Sequence, residues 1–240
     1  MATAHPHLRI QERFVSLQGE GQLVGVPSSF VRVSGCNLRC TWCDSPATSW
    51  APGGEPQTLD ELVDFCARGP RHVVLTGGEP LLFAAVAPLS QRLRAAGHHI
   101  TVETAGTVWL PDLACDLLSL SPKLAHSTPW VRAPKLAPRH EQARLDVEVL
   151  GRLLASFGDW QLKFVVRTAE AAADLAEIEG LLQALAVPVR ERHRVLIMPE
   201  GVDPAALAGS YRALVGACIE RGFRLGERLH IALFGHTPGT

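Results

Sequence analysis

Three cysteines crowd one decapeptide, Gly35-Cys36-Asn37-Leu38-Arg39-Cys40-Thr41-Trp42-Cys43-Asp44, while Cys66, Cys115 and Cys218 stand apart in apolar surroundings. Three thiolates on so short a loop can hold one metal centre, and sulfur ligands select zinc, copper(I) or an iron–sulfur cluster. Structural zinc takes four protein ligands, and no fourth Cys or His lies at finger-like spacing here. The fourth ligand is either distant, Cys66 being one candidate, or absent, which leaves a position open to substrate. A second segment of interest is Thr76-Gly77-Gly78-Glu79-Pro80. Glycines at such a turn let a ligand approach the backbone closely, and the exposed peptide groups can bind its polar atoms. Taken alone, that pattern is common at strand-to-helix turns.

The elements that must position these residues alternate. Short β-type runs over 28–34, 72–76, 99–104, 116–121, 161–166 and 194–199 predict strands, and helical patterns over 58–68, 81–96, 141–157, 169–185 and 204–221 lie between most of them. Thr58 followed by Glu61 is the pattern of a capping box at a helix start. Alternation of this kind implies parallel strands joined by helical crossovers. Six units are too few to close an eight-stranded barrel of about 250 residues, so the expected fold is α/β, an open, partial (β/α)6 barrel, with a doubly wound sheet as the alternative. Both put binding groups at the carboxyl ends of the strands. No repeat or long linker divides the 240 residues, and a single domain over 1–240 is expected, with a short N-terminal extension and a C-terminal cap.

Pleating puts residues two apart on one face. Phe30 and Arg32 then oppose Val31 and Val33, Thr101 and Glu103 oppose Ile100 and Val102, Ser119 and Ser121 oppose Leu118 and Leu120, and Lys163 lies between Leu162 and Phe164. A doubly covered parallel strand should be apolar on both faces, so the polar residues mark the inner face of the barrel. Charges placed there pair with one another or meet a polar ligand, because burying them alone is costly. Only three lysines, Lys123, Lys135 and Lys163, stand against twenty arginines, and two of the three fall at inward-facing positions.

Composition narrows the class. Hydrophobic residues at 47% and charged residues at 20% form an ordinary globular mix and exclude collagen-like, mucin-like and low-complexity chains. A net charge of -1 supplies no basic field for nucleic acid. The longest apolar stretch, 81–89, contains Pro88 and is far short of the ~20 residues of a membrane span. Residues 1–7 carry neither a charged region nor an apolar one, so no secretory signal is read and the expected compartment is the cytoplasm. In that compartment six cysteines are free thiols rather than a disulfide framework.

Cys36, Cys40 and Cys43, in Cys-x3-Cys-x-aromatic-Cys order, resemble the motif of radical SAM enzymes. That resemblance implies that the three cysteines hold three irons of a 4Fe-4S cluster, with the fourth iron binding S-adenosylmethionine (SAM). It also implies that Trp42 packs near the adenine and that Gly77, Gly78 and Glu79 form the Gly-Gly-Glu motif contacting the SAM amino group. The chemistry implied is one-electron reduction of SAM to methionine and a 5'-deoxyadenosyl radical, the cofactor carrying the reaction and the protein positioning it.

Five further segments, in order along nearly the whole chain, resemble the 7-carboxy-7-deazaguanine synthase family: Ser16-Leu17-Gln18-Gly19-Glu20-Gly21, Phe30-Val31-Arg32, Cys43-Asp44-Ser45, Glu103-Thr104-Ala105-Gly106 and Ser121-Pro122-Lys123. The family's fold is a partial (β/α)6 barrel. The resemblance implies ring contraction of 6-carboxy-5,6,7,8-tetrahydropterin to 7-carboxy-7-deazaguanine with loss of ammonia, on the route to queuosine and related 7-deazapurines, with SAM re-formed in each cycle. It puts Leu17, Gln18, Gly19 and Glu20 on the pterin edge, Arg32 on the substrate carboxylate, and Thr76 and Thr240 against substrate. It assigns Glu103, Ser121, Pro122, Lys123, Lys163, Met198, Pro199, Glu200 and Gly201 to SAM, and Mg2+ to Ser45. An electron donor such as flavodoxin or ferredoxin and a homodimer are expected partners; nucleic acid and membrane are not. Gln and Glu beside an exposed backbone suit a flat heterocycle with amide and amine edges.

Two rivals stand beside this reading. One is another radical SAM enzyme, such as an activase that takes a hydrogen atom from a protein glycine, for which Gln18, Glu20 and Arg32 would have no use. The other is a zinc scaffold without catalysis. His98-His99 reads as a strand start, His230 as a residue near a C-terminal strand, and Trp50, Trp109, Trp130 and Trp160 as packing residues. The ending 233–240 maps onto no pattern.

Overall fold

A computed structural model describes residues 7–240; residues 1–6, on which the reading of a missing leader rests, lie outside it. The chain starts as β1 (His7–Leu17) and returns antiparallel as β2 (Pro27–Val33). After the cysteine loop come a one-turn helix, α1 (Pro46–Ser49), and β3 (Glu55–Thr58), which pairs antiparallel with β1. The remainder runs through α2 (Leu59–Ala67), β4 (His72–Gly77), α3 (Val86–Ala95), β5 (His99–Thr104), β6 (Leu117–Leu120), α4 (Ala137–Ala143), α5 (Val147–Ser156) and β7 (Trp160–Val166). It ends with α6 (Ala171–Ala184), β8 (Val195–Pro199), α7 (Pro204–Arg221), β9 (Arg224–Leu225) and α8 (Leu229–Phe234).

The nine strands form one sheet in the order β3-β1-β2-β4-β5-β6-β7-β8-β9, parallel from β2 onward. Its six long parallel strands are the six expected. Their spatial order follows the chain without reversal, whereas a doubly wound sheet reverses at a switch point. Right-handed crossovers taken always in the same direction put the helices on one face and curve the other inward. The result is an open, partial (β/α)6 barrel.

The core lies between sheet and helices. Val31, Val102, Leu118, Leu162, Phe164 and Ile197 are fully buried against Leu62, Leu89, Leu93, Leu150, Ile178 and Leu214, each such side chain contributing about 1.5–3 kcal/mol by leaving water. Cys66 and Cys218 are buried and Cys115 packs beside them in this core; all six cysteines are free thiols. The capping box is present: Glu61 N donates to Thr58 Oγ1 at 3.2 Å and Thr58 N to Glu61 Oε2 at 2.7 Å. Two expected helices differ. That over 81–96 begins with a short 3-10 turn, Pro80–Leu82, and becomes α-helical only at Val86. That over 141–157 is two helices, because Asp146 accepts from Val149 N and starts α5 afresh. Among the described residues no helix is long and apolar enough to cross a membrane.

Candidate active site

The inner face opens at the carboxyl ends of the strands into a cavity of about 600 Å³. Phe30 and Arg32 of β2, Thr76 of β4, Glu103 of β5, Lys163 of β7 and Met198 of β8 line it, and Ser121 joins them just after β6. Val31, Val33, Leu75, Val102, Leu162, Phe164 and Ile197, which alternate with them, face the core, so the period of two sorts this site as it sorted the faces.

Cys36, Cys40 and Cys43 line the same cavity. Their loop is held from several sides. Thr41 N donates to Ser127 O at 2.8 Å and Trp50 Nε1 to Cys40 O at 3.0 Å. Arg39 N donates to His140 Nδ1 at 2.9 Å, so the proton of that imidazole sits on Nε2, 3.0 Å from Ser127 Oγ. Burial pushes His140 down to about 4 and keeps it neutral. Gly78 packs against the loop from β4: a Cβ there would collide with Gly35 O and with Cys36 Cβ. This close approach is what the Gly-Gly turn provides.

Burial pushes the Cys36 thiol up to about 11 and the Cys40 thiol up to about 12. Thiols so placed keep their protons until a metal displaces them. Among the described residues, no three His, Cys, Asp or Glu side chains converge as the ligands of one ion would, and no fourth cysteine lines the cavity. Three cysteine sulfurs on one cavity wall are donors that would suit an iron–sulfur cluster.

The charges of the inner face pair with one another and also face the cavity. Lys163 Nζ lies 3.0 Å from Glu20 Oε2 and 2.9 Å from Glu103 Oε1, and Thr76 Oγ1 donates to the other oxygen of Glu103. Arg228 donates to Glu20 Oε1 at 3.1 Å, to Asp44 Oδ2 at 3.2 Å and to Gly201 O at 2.5 Å. Burial alone would raise the pKa of Glu20, yet Lys163 and Arg228 hold it well below the usual carboxylate range. Burial likewise opposes the charge of Lys163, and the two carboxylates overcome it, holding that ammonium above its ordinary range. Arg32 Nε is fixed by Glu12 Oε1 at 2.7 Å, and its NH1 is 3.4 Å from Ser45 Oγ.

The Radical SAM superfamily pattern matches residues 30–127. The 7-carboxy-7-deazaguanine synthase of Rhodopirellula baltica is 44% identical over 97% of this chain and 89% of that protein. The chain belongs to the 7-carboxy-7-deazaguanine synthase family. The Halobacterium salinarum synthase is 45% identical over 98% of this chain and 93% of its own. The crystal structure of QueE from Escherichia coli superposes with a TM-score of 0.69 at 25% identity, covering 93% of this chain and 95% of that one. As a radical SAM lyase of this family, the protein uses a 4Fe-4S cluster and SAM; the activase and zinc readings fall away.

Most of the residues that the family resemblance singled out meet here. Leu17, Gln18, Gly19, Trp42, Ser45, Gly77, Gly78, Lys123 and Thr240 are on the cavity wall with those already named. Gln18 is buried and donates to Ser28 Oγ at 3.0 Å. Lys123 Nζ donates to Ser121 Oγ at 2.9 Å and sits 5.6 Å from the Trp42 ring, which stacks on His126 at 5.5 Å. Glu79, Pro122, Pro199, Glu200 and Gly201 are off the wall. The Glu79 carboxylate turns inward and accepts from Thr104 Oγ1, Ala105 N and Leu81 N at 2.6, 2.8 and 3.0 Å, joining the ends of β4 and β5.

Sequence reasoning missed Arg228, Asp44 and Glu12 as partners in this site. Arg228 meets Glu20 across 208 positions, and no local spacing signals such a contact. His230 lies on α8, which follows the C-terminal strand β9: Leu229 N donates to Gly19 O at 2.8 Å, and a Cβ on Gly19 would run into the His230 ring. Gly19 is thus the seat on which α8 closes the site.

Proposed function

We propose that this carbon–nitrogen lyase converts 6-carboxy-5,6,7,8-tetrahydropterin to 7-carboxy-7-deazaguanine and ammonia, in queuosine or related 7-deazapurine biosynthesis, inside the cavity described above. The observation that carries this reading is that one cavity contains three free thiols together with a carboxylate held ionised between two buried cations. Glu20, kept charged by Lys163 and Arg228, is suited to accept two N–H bonds from the pterin edge, with Gln18 and the backbone of Leu17 and Gly19 completing the grip. Arg32, steadied through Nε by Glu12 and with NH1 beside Ser45 Oγ, would turn its guanidinium to the substrate carboxylate in forked geometry. Thr76 and Thr240 bound the substrate.

Cys36, Cys40 and Cys43 would hold the 4Fe-4S cluster, with SAM lying along Trp42, Gly77, Gly78, Glu103, Ser121, Lys123, Lys163 and Met198. Pro122, Pro199, Glu200 and Gly201 stand behind that surface, and Glu79 acts by fixing the strand ends. When bound, cluster and SAM together supply one-electron reduction and an acceptor for a substrate hydrogen atom. The chain's own part is to orient the pterin against that acceptor and exclude water. Ser45, whose hydroxyl lies 3.3 Å from Asp44 Oδ1, would bind Mg2+ with waters and substrate oxygens filling the shell. We further assign the protein to the cytoplasm, as a single domain that forms a homodimer and takes electrons from a flavodoxin or ferredoxin.

Two substitutions test whether cluster and substrate functions separate. In anaerobically reconstituted protein, Cys40→Ala should lose the brown iron–sulfur absorbance. Arg32→Lys should keep it while the KM for the pterin rises about tenfold, since a point charge replaces a fork. A cluster retained in Cys40→Ala removes the ligand assignment, and an unchanged KM in Arg32→Lys removes the carboxylate role.

A further inference from the structure

A second cleft, of about 80 Å³, lies beside the cysteine loop and is walled by Cys36, Asn37, Arg39, Leu136, Arg139 and His140. Cys36 is the one residue it shares with the substrate cavity. The main cavity is given over to substrate and SAM, so this cleft offers a separate approach from the surface to a proposed cluster ligand. The segment that supplies Leu136, Arg139 and His140 to this cleft is unlike the rest of the chain. Net charge overall is -1, yet residues 128–140 carry Arg132, Lys135 and Arg139 and no acid. Glu141, which follows, is occupied by Arg144 at 2.7 Å and Thr128 at 2.5 Å. In the same segment Trp130, Val131 and Leu136 stand 54%, 98% and 44% exposed. The segment is fastened to the cysteine loop: Arg132 donates to Thr41 O at 3.0 Å and its guanidinium lies 3.9 Å from the Trp50 ring.

We propose that this basic segment, with its exposed apolar side chains, is the docking surface for a small acidic one-electron carrier protein, which passes its electron to the cluster by way of Cys36. The proposal rests on the reading of Cys36, Cys40 and Cys43 as cluster ligands. In the step, the reduced carrier loses one electron and the cluster gains one; no bond forms or breaks and no proton moves. Electron-transfer encounters use small interfaces, and complementary charge speeds encounter more than it tightens binding. That is the construction seen here.

The test is stopped-flow reduction of the reconstituted holoenzyme, read as bleaching of the cluster absorbance rather than as turnover. The probes are a photoreduced bacterial flavodoxin and a reduced bacterial ferredoxin, with dithionite as the small-molecule control. Lys135→Glu/Arg139→Glu, matched to wild type in iron content, should slow reduction by the acidic carriers at least about tenfold at low salt. It should change the dithionite rate less than twofold, and the carrier effect should shrink as salt rises. Leu136→Ser tests the exposed apolar side chain apart from charge and should slow the carriers alone. The proposal is overturned if neither carrier reduces the wild-type cluster, or if Arg190→Glu/Arg212→Glu, elsewhere on the surface, slows the carriers as much. It is also overturned if the 135/139 variant changes oligomeric state, which would make the rim a face between copies of this chain. A wild-type chain that assembles no cluster would instead sink the reading of the cysteines.

Discussion

Around the cysteines the inner braces are chiefly neutral, whereas the wall that carries Glu20 is braced by ions. His140, Ser127 and Trp50 hold Arg39, Thr41 and Cys40 through ordinary hydrogen bonds. Glu20, Lys163, Glu103, Arg228 and Asp44 instead form one chain of alternating charge through the protein. The two constructions suit different ligands. An iron–sulfur centre brings its own charge and needs fixed sulfur atoms in dry surroundings. A polar heterocycle needs partners whose charge is already set and compensated, because a bare carboxylate costs several kcal/mol to bury.

The comparison breaks most visibly at Lys163. Lys163→Met leaves Glu20 and Glu103 facing each other with one cation fewer, and should cost about 3–5 kcal/mol in denaturant unfolding. His140→Leu leaves only the Arg39 N–H and the Ser127 hydroxyl without partners, about 1–3 kcal/mol. If His140→Leu proves the more damaging of the two, the contrast between the walls is wrong.

Acid separates the walls further. Burial holds His140 near 4, below its ordinary 6.5, so the unfolded chain takes up the proton first as pH falls. Its contribution is complete above 6.5 and is lost between about 6.5 and 4, up to about 3 kcal/mol. Glu20 is depressed from 4.5, and its contribution survives until pH falls below that value. Unfolding free energies at pH 7, 5.5 and 4.5 should therefore decline in wild type and stay flatter in His140→Gln. Equal declines in both would remove His140 as the cause.

A smaller effect is expected where the walls meet the C-terminal helix. Gly19→Ala pushes the His230 ring and α8 from their seat and should raise the KM for the pterin about tenfold, roughly 1.4 kcal/mol, with cluster absorbance intact. Normal KM in that variant would show that α8 does not set the substrate loop.

Much of this architecture could be read from the chain because the parallel strands alternate with period two, and one period sorts both core and cavity. β1 escaped because its alternation breaks at a register shift between Ile10 and Glu12. The split between α4 and α5 escaped because the apolar pattern continues across it while one capping carboxylate, Asp146, ends the run. In the site, the cysteine loop and the Gly-Gly turn are local and were legible. Arg228, which ties Glu20 to Asp44, is not, since its contacts join the start, the loop and the end of the chain. Glu79 belongs to a readable motif, yet its carboxylate serves the strand ends instead of the cavity.

The most direct test is mass spectrometry of an anaerobic reaction containing reconstituted protein, dithionite, SAM, Mg2+ and 6-carboxy-5,6,7,8-tetrahydropterin. The account predicts 7-carboxy-7-deazaguanine accumulating without matching loss of SAM. SAM consumed while the pterin persists would contradict it.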